Sequence, residues 1–361
     1  MKNKIVYVPL AVDLLHSAHI NILKKAKKYG TVIVGLMTDS AISEYKKVPI
    51  LNYKERFEIL SGVRFIDKIV EQTIWDYSDN IKRYKPDYFI HGDDWKTGIQ
   101  KKQRAKVVKT LKKYKGKLIE VTFNKNISST EIKNKIIKSG ITSNNRVSRL
   151  KRLMNAKGIV RILESHNSLT GLIIENLKLS KKNSFAEFHG MWSSSLTDSA
   201  TKGKPDNSSV DFSSRLTNLN EMMEVTSKLL VFDADNGGLL EHLPFLVRSL
   251  ERCGASAIIM EDKIGLKKNS LFKNQTDTKQ DKAVLFAKKI KKVCNVRKNE
   301  DFMVIARIES FIVGKGLKDA LKRAEVYSKA GADAILIHSK EKTSAEIFSF
   351  AREFKKSKNF I

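Results

Sequence analysis

LLVFDADNGGLLEHLPFLVRSLERCGASAIIMEDK, residues 229–263, reads as a strand, a helix and a second strand. The apolar run LLVF closes on Asp233 and Asp235, and AIIM closes on Glu261, Asp262 and Lys263. Between them, EHLPFLVRSLERC carries apolar residues at helical spacing and stops at Gly254. Two short buried strands joined by a helix predict a parallel pair with a crossover connection. Upstream the same rhythm runs through IVRILESHN with SLTGLIIENL, and FAEFHGMWSSS with LNEMMEVTSKL. Downstream, DKAVLFAKKIKKV follows the second strand, then FMVIARIES pairs with LKDALKRAEVYSKAG and ADAILIHSK with SAEIFSFAREFKKS. Six strand–helix units result, against the eight of a (β/α) barrel. The expectation is an α/β chain whose C-terminal part is a TIM-type barrel truncated after six units. Such an open sheet would be poorly stable and weakly active.

The first third alternates as well. KIVYVPLAV (4–12), TVIVGLMT (31–38), FIDKIVEQ (65–72), DYFIHGDD (87–94) and KLIEVTFN (117–124) read as strands. HINILKKAKKYG (19–30), YKERFEILSGV (53–63) and STEIKNKIIKS (129–139) read as helices. This predicts a Rossmann-like parallel sheet over residues 1–140, a polar linker at 141–145, and the barrel over 146–361, opening with an amphipathic helix at 146–157.

At 41% hydrophobic and 30% charged, the chain has the composition of folded globular protein, not of a disordered one. No apolar run approaches the roughly 18–20 residues that cross a bilayer. Two cysteines, Cys253 and Cys294, make no disulfide framework and point to a reducing compartment, so a cytoplasmic location is expected. Sixty-eight basic against 39 acidic residues leave a net charge of +29. These basic residues are mostly lysines spread along the whole chain, without aromatic interleaving or zinc-finger spacing. They read as a solvated surface; a basic nucleic-acid binder carrying inactive domains is the competing reading.

Two sets of residues carry chemistry. His16 and His19 follow the first strand and open a helix, where the helix dipole favours phosphate. HGDDW (91–95) follows a strand end, and ISST (127–130) leads into the last helix of that domain. In the C-terminal part, Asp233, Asp235, Glu261, Arg307 and His338 end successive strands, where barrel enzymes hold their substrates. Hard carboxylate oxygens suit Mg²⁺, and Lys263, Lys267, Arg307 and His338 supply positive charge for an anionic substrate.

With these motifs, residues 1–140 resemble the nucleotidyltransferases whose signature is His-x-Gly-His, in particular the cytidylyltransferase branch. The resemblance implies that His16 and His19 stabilise charge on the α-phosphate, and that Lys46 or Lys47 is a phosphate-binding lysine. It also implies nucleotide-binding roles for Arg56, Asp94, Ser129 and Thr130, with CTP as co-substrate. Ala18 stands where that family has Gly. From about residue 146 onward, EDKIGLKKNS (261–270), ESHN (164–167), GMWSSSL (190–196), DADNGG (233–238), ARIESF (306–311) and HSK (338–340) resemble the phosphoenolpyruvate phosphomutases of the isocitrate lyase superfamily. Ser193 and Ser195 depart from the Gly of many relatives.

That second resemblance implies Asp233 as a direct Mg²⁺ ligand, with Asp206, Asp235 and Glu261 acting through waters. Trp192, Ser194, Ser195, Leu196 and Lys263 would line the substrate pocket. Lys267, Asn269 and Ser270 would lie on a loop over the substrate, and Arg307 and His338 would hold the migrating phosphoryl group. The implied function is phosphonate biosynthesis, with isomerisation of phosphoenolpyruvate to phosphonopyruvate and transfer of CMP to a phosphonate. A phosphonopyruvate hydrolase or a C–C lyase fused to a nucleotidyltransferase is the alternative. The implied partners are small-molecule substrates, with neither nucleic acid nor membrane, and a homo-oligomer if the barrel is completed.

Overall fold

The computed structural model describes residues 4–46, 48–96, 100–122, 143–181, 184–265, 267 and 279–356. The chain divides into two compact units. One comprises Met1–Gly140 with Leu153–Ile159 and Leu179–Ala186; the other comprises Ile141–Arg152, Val160–Lys178 and Glu187–Ile361.

The first unit is built on five parallel strands, β1 (Ile5–Leu10), β2 (Thr31–Met37), β3 (Lys68–Gln72), β4 (Tyr88–Gly92) and β5 (Lys117–Val121), in the order β3-β2-β1-β4-β5. The expected strand at 87–94 gives way after Gly92 to a 3₁₀ turn at Asp93–Lys96. β1 and β2 are buried on both faces, as parallel strands covered by helices must be. Strand order reverses between β1 and β4, which opens a crevice at their C-terminal ends. The helices Ser17–Lys27 and Tyr53–Ser61 match the periodicity of the sequence. Ser78–Tyr84 and Lys101–Lys112 do not announce themselves. The second of these buries only Gln103, Val107 and Leu111, a one-residue-wide stripe in a lysine-rich stretch.

The second unit carries β6 (Ile162–Glu164), β9 (Gly190–Ser193), β10 (Leu229–Asp233), β11 (Ala257–Glu261), β14 (Met303–Ile308) and β15 (Ala334–Ile337) in one parallel sheet, each strand beside the next. This is the order of a (β/α) barrel, and the curled sheet forms part of one. Two-stranded pieces complete the strands of the chain: β7 (Lys178–Lys181) with β8 (Ser184–Glu187), which belong mostly to the first unit, and β12 (Lys263–Ile264) with β13 (Lys279–Gln280) in the second. FAEFHGMWSSS is thus two strands and not one, parted at Phe188 and His189. The helix expected over 146–157 is also two, Ser143–Val147 and Arg149–Lys157; Arg146 is held by its Nη2 donating to Thr226 O at 2.7 Å.

Alternation along the strands sorts the side chains. Leu230, Phe232, Ile258, Met260, Val304, Ala306 and Ile308 pack with Leu246, Val247, Leu250, Phe286, Ile290 and Ala324 of the surrounding helices. Their neighbours in sequence therefore point to the opposite face of the sheet. No described helix is long and apolar enough to cross a membrane. Phe286 is fully buried and meets Tyr327 edge-on at 4.9 Å, whereas Val284 in the same helix is 66% exposed. Phe286→Ala is expected to cost about 3–5 kcal/mol and Val284→Ala within about 0.5 kcal/mol. Urea unfolding of the two variants checks the contrast.

Candidate active sites

Register brings one face of six strands to a single cavity. Glu164 lies opposite Trp192, Trp192 opposite Val231, Asp233 opposite Ile259, Glu261 opposite Arg307, and Arg307 opposite Leu336. A two-residue period then puts Glu164, Trp192, Asp233, Glu261, Arg307 and His338 on the same face, at the C-terminal ends. They line a cavity of about 390 Å³ with Ser194, Ser195, Leu196, Asp206, Lys263 and Lys267.

The cavity is strongly charged. Arg307 Nε donates to Glu309 Oε1 at 2.5 Å, and its Nη2 lies 2.8 Å from His338 Nδ1 and 3.5 Å from Glu261 Oε2. Lys263 Nζ stands 3.4 Å from Glu261 and 3.7 Å from Glu309. Burial pushes Glu261 up to about 7, against the pull of Arg307 and Lys263 and with the repulsion of Glu309 and Asp233. Glu309 is held low despite its burial, because His338 hydrogen-bonds it and Arg307 and Lys263 attract it. Burial opposes ionisation of Asp233, yet Lys267, Arg307 and Arg215 lower its pKa. Asp235 is raised by burial and by Asp233.

Asp235 adopts φ 51, in the left-handed region, and its backbone N–H donates to Asp233 Oδ1 at 3.0 Å. Such strain gathers at working sites. Beneath the cavity, buried Arg215 donates through Nε to Asp198 Oδ2 at 2.8 Å, and Ser193 Oγ donates to the same oxygen at 3.1 Å. Sequence reading missed this pair. No local signal announces it, since Asp198 and Arg215 stand 17 residues apart on different helices. It missed Glu164 as a lining residue too, although ESHN was noted.

Asp262 belongs elsewhere, although it closes the same apolar run as Glu261 and Lys263. Its parity points it into the helix layer, where it accepts from Tyr327 at 2.7 Å and from Arg323 at 3.2 Å. Asn269 and Ser270 lie outside the described residues. Among the described residues no three acidic, histidine or cysteine side chains form a cage for an ion. Mg²⁺ does not need one, since it keeps several waters and takes one or two carboxylates. The donor set fits it: Asp206, Asp233 and Glu261 line the cavity with hard oxygens, and Asp235 Oδ1 beside them already holds a cation, the Lys267 ammonium.

In the first unit, His16 is the residue before the helix Ser17–Lys27, and its backbone N–H donates to His19 Nδ1 at 3.4 Å. The two rings lie 3.9 Å apart, and His16 Nδ1 is buried without a hydrogen-bond partner. The Ala18 methyl is buried on the face that carries Ile22, one turn on. Lys46 is exposed and sits over the Tyr45 ring, which stacks on Trp75 at 4.7 Å. Arg56 is fully buried. It donates to Ala11 O at 2.6 Å, Met37 O at 2.8 Å, Leu51 O at 3.2 Å and Asp39 Oδ1 at 2.7 Å. Its guanidinium therefore ties together the walls of the crevice and is not presented as a contact surface. His91 stacks on Trp95 at 3.9 Å, and Trp95 Nε1 donates to Glu120 at 2.8 Å. Lys47, Ser129, Thr130 and the side chain of Asp94 lie outside the described residues.

Comparison with known proteins places both units. Residues 150–361 match the family model described as phosphoenolpyruvate phosphomutase, and residues 12–135 match the one described as cytidylyltransferase-like. The phosphoenolpyruvate phosphomutase of Tetrahymena pyriformis is 37% identical over 222 residues, 61% of this chain and 70% of that protein. The chain belongs to the phosphoenolpyruvate phosphomutase family. It carries a cytidylyltransferase-like domain ahead of the mutase-family region. A solved phosphonopyruvate hydrolase complex with oxalate and Mg²⁺ is 31% identical with a TM-score of 0.51, covering 59% of this chain and 69% of that one. The glycerol-3-phosphate cytidylyltransferase of Staphylococcus aureus is 32% identical over 85 residues, 23% of this chain and 64% of that protein.

His19 yields a test of its own. Burial, His16 and Lys46 push its pKa down from 6.5 to about 3. The unfolded chain thus binds a proton that the folded chain refuses, so stability is full above pH 6.5 and falls as pH drops towards 3. His19→Gln is expected to lose less stability than the parent between pH 7 and pH 5. Urea midpoints at the two pH values measure the difference.

Proposed function

We propose that this protein isomerises phosphoenolpyruvate to phosphonopyruvate and transfers CMP from CTP to a phosphonate, releasing pyrophosphate. Residues 146–361 are assigned the first reaction and 1–140 the second, joined by 141–145. The observation that carries the reading is the single cavity that gathers Trp192, Ser194, Ser195, Leu196, Asp206, Asp233, Glu261, Lys263, Lys267, Arg307 and His338. Mg²⁺, when bound, neutralises charge on the substrate's carboxylate and enol oxygens. Asp233 would hold it, with Asp206, Asp235 and Glu261 reaching it through waters.

The reaction breaks the bond between phosphorus and the enol oxygen and forms one between phosphorus and C3, with no net proton change. A loose, metaphosphate-like transfer needs positioning and charge above all. Arg307 and His338 are assigned to hold the phosphoryl group while it changes partners, a reading supported by the bond from Arg307 to Glu309 and its 2.8 Å approach to His338. Trp192, Ser194, Ser195 and Leu196 are assigned to the carboxylate and phosphoryl pocket, with backbone N–H groups as donors. Asn269 and Ser270 are assigned to the loop over the substrate, where exclusion of water favours migration over hydrolysis. In the first unit, His16 and His19 stabilise the α-phosphate as pyrophosphate leaves. Lys46 or Lys47, Asp94, Ser129 and Thr130 hold the nucleotide, and Arg56 supports the crevice from behind. The substrates are small anions, and the reducing cytoplasm suits free Cys253 and Cys294.

The likeness to a phosphonopyruvate hydrolase favours one second reading, in which the same pocket delivers the phosphoryl group to water. Phosphorus NMR separates the two: phosphonopyruvate from phosphoenolpyruvate supports the mutase, and inorganic phosphate from phosphonopyruvate supports the hydrolase. Asp233→Ala is expected to lower the isomerisation on the order of 10²-fold or more while CTP turnover persists. His19→Ala is expected to do the reverse, by on the order of 10²–10³-fold. Pyrophosphate release against a panel of phosphonates identifies the acceptor. Equal loss of both activities in the His19 variant would refute the division of labour.

A further inference from the structure

Lys267 is the cation at the centre of the acidic side of the cavity. Its side chain is 10% exposed. Its Nζ donates to Asp206 Oδ1 at 2.6 Å and to Ser195 Oγ, and it pairs with Asp235 Oδ1. Ser195 Oγ passes the interaction on by donating to Asp233 Oδ2 at 3.2 Å. An ammonium offers three N–H donors, and here it meets three oxygens. Two of these belong to the carboxylates offered to a divalent cation, and the third is bonded to Asp233. One positive charge thus stands among Asp206, Asp233 and Asp235, and Arg215 Nη1 lies 3.8 Å from Asp235.

We infer that Lys267 is a resident counter-cation, seated by the Ser195 hydroxyl, that a divalent ion must displace to reach Asp206, Asp233 and Asp235. The inference rests on the metal reading proposed above. A metal ion and an ammonium cannot share the same oxygens at contact distance, because like charges in a buried site repel strongly. Metal entry therefore turns Lys267 out of the carboxylates and leaves its charge available to the anionic substrate. The observed affinity for the ion is reduced by the fraction of molecules in which Lys267 holds the seat.

Mn²⁺ titration of the substrate-free full chain, followed by the electron paramagnetic resonance of the free ion, tests this. Lys267→Met is expected to bind Mn²⁺ about tenfold more tightly or better, and Ser195→Gly to shift affinity in the same direction. Removal of a nearby charge would itself raise affinity, so the neutral change at Ser195 is the deciding variant. Should Lys267→Met fail to fold, labelling of the wild-type amine supplies the answer. Peptide-mapped amidination of Lys267 is expected to quicken when Mn²⁺ is added. Mn²⁺ affinity unaltered in Ser195→Gly, or labelling of Lys267 unmoved by the ion, overturns the displacement while leaving the metal reading in place. Absence of Mn²⁺ binding in every protein removes the metal reading and this inference with it.

Discussion

Everything in the larger unit hangs on the two-residue period of its parallel strands. A strand carries its side chains to alternate faces, and the register of five neighbouring pairs is common to all six strands of the sheet. A slip of one residue at β10 would turn Asp233 into the helix layer and Phe232 into the cavity. The apolar face prevents it: Leu230, Phe232, Ile258 and Met260 have helices to meet and no reason to face water. The core thereby does the aiming of the charged residues. The separate fate of Asp262 and Glu261, adjacent in sequence and on opposite faces of the sheet, shows how sharp that aiming is.

Concentrating this much charge away from water has a cost, since an ion stripped of solvent is stabilised only by good partners. The second unit meets it by pairing. Glu309 is fully buried but flanked by Arg307, His338 and Lys263; Asp198 and Arg215 are both 1% exposed and bonded to each other. Arg215 also lies 4.3 Å from the Phe232 ring centre, so the apolar layer and the charged layer share a residue. In the first unit Arg56 does comparable service with backbone carbonyls for partners, joining the ends of β1 and β2 to the segment before the helix Tyr53–Ser61.

Much of this was legible in the residues. Apolar runs of strand length and their polar ends named β1, β2, β10, β11, β14 and β15, and the strand-end motifs named most of the cavity lining. What escaped has identifiable causes. The helix Lys101–Lys112 buries so narrow a stripe that its lysines mask the period. The Asp198–Arg215 pair joins two helices through space, and no local spacing encodes a contact between them. Arg56 carried the motif of a nucleotide contact, yet burial, which a motif does not report, gave it a structural occupation. Asp262 was grouped with Glu261 because adjacency in sequence is not adjacency in a sheet.

The left-handed backbone at Asp235 has a consequence for descent. Few side chains tolerate φ near 51 without a penalty; glycine, asparagine and aspartate are the residues that do so readily. Mutational drift at this position is thereby channelled into a short alphabet. Within it, aspartate and asparagine share shape and backbone preference and differ by one charge. A lineage could pass between them without rebuilding the turn through Gly237 and Gly238, altering the electrostatics of the cavity in a single inherited step. The fold keeps its geometry while leaving one letter free to vary its chemistry.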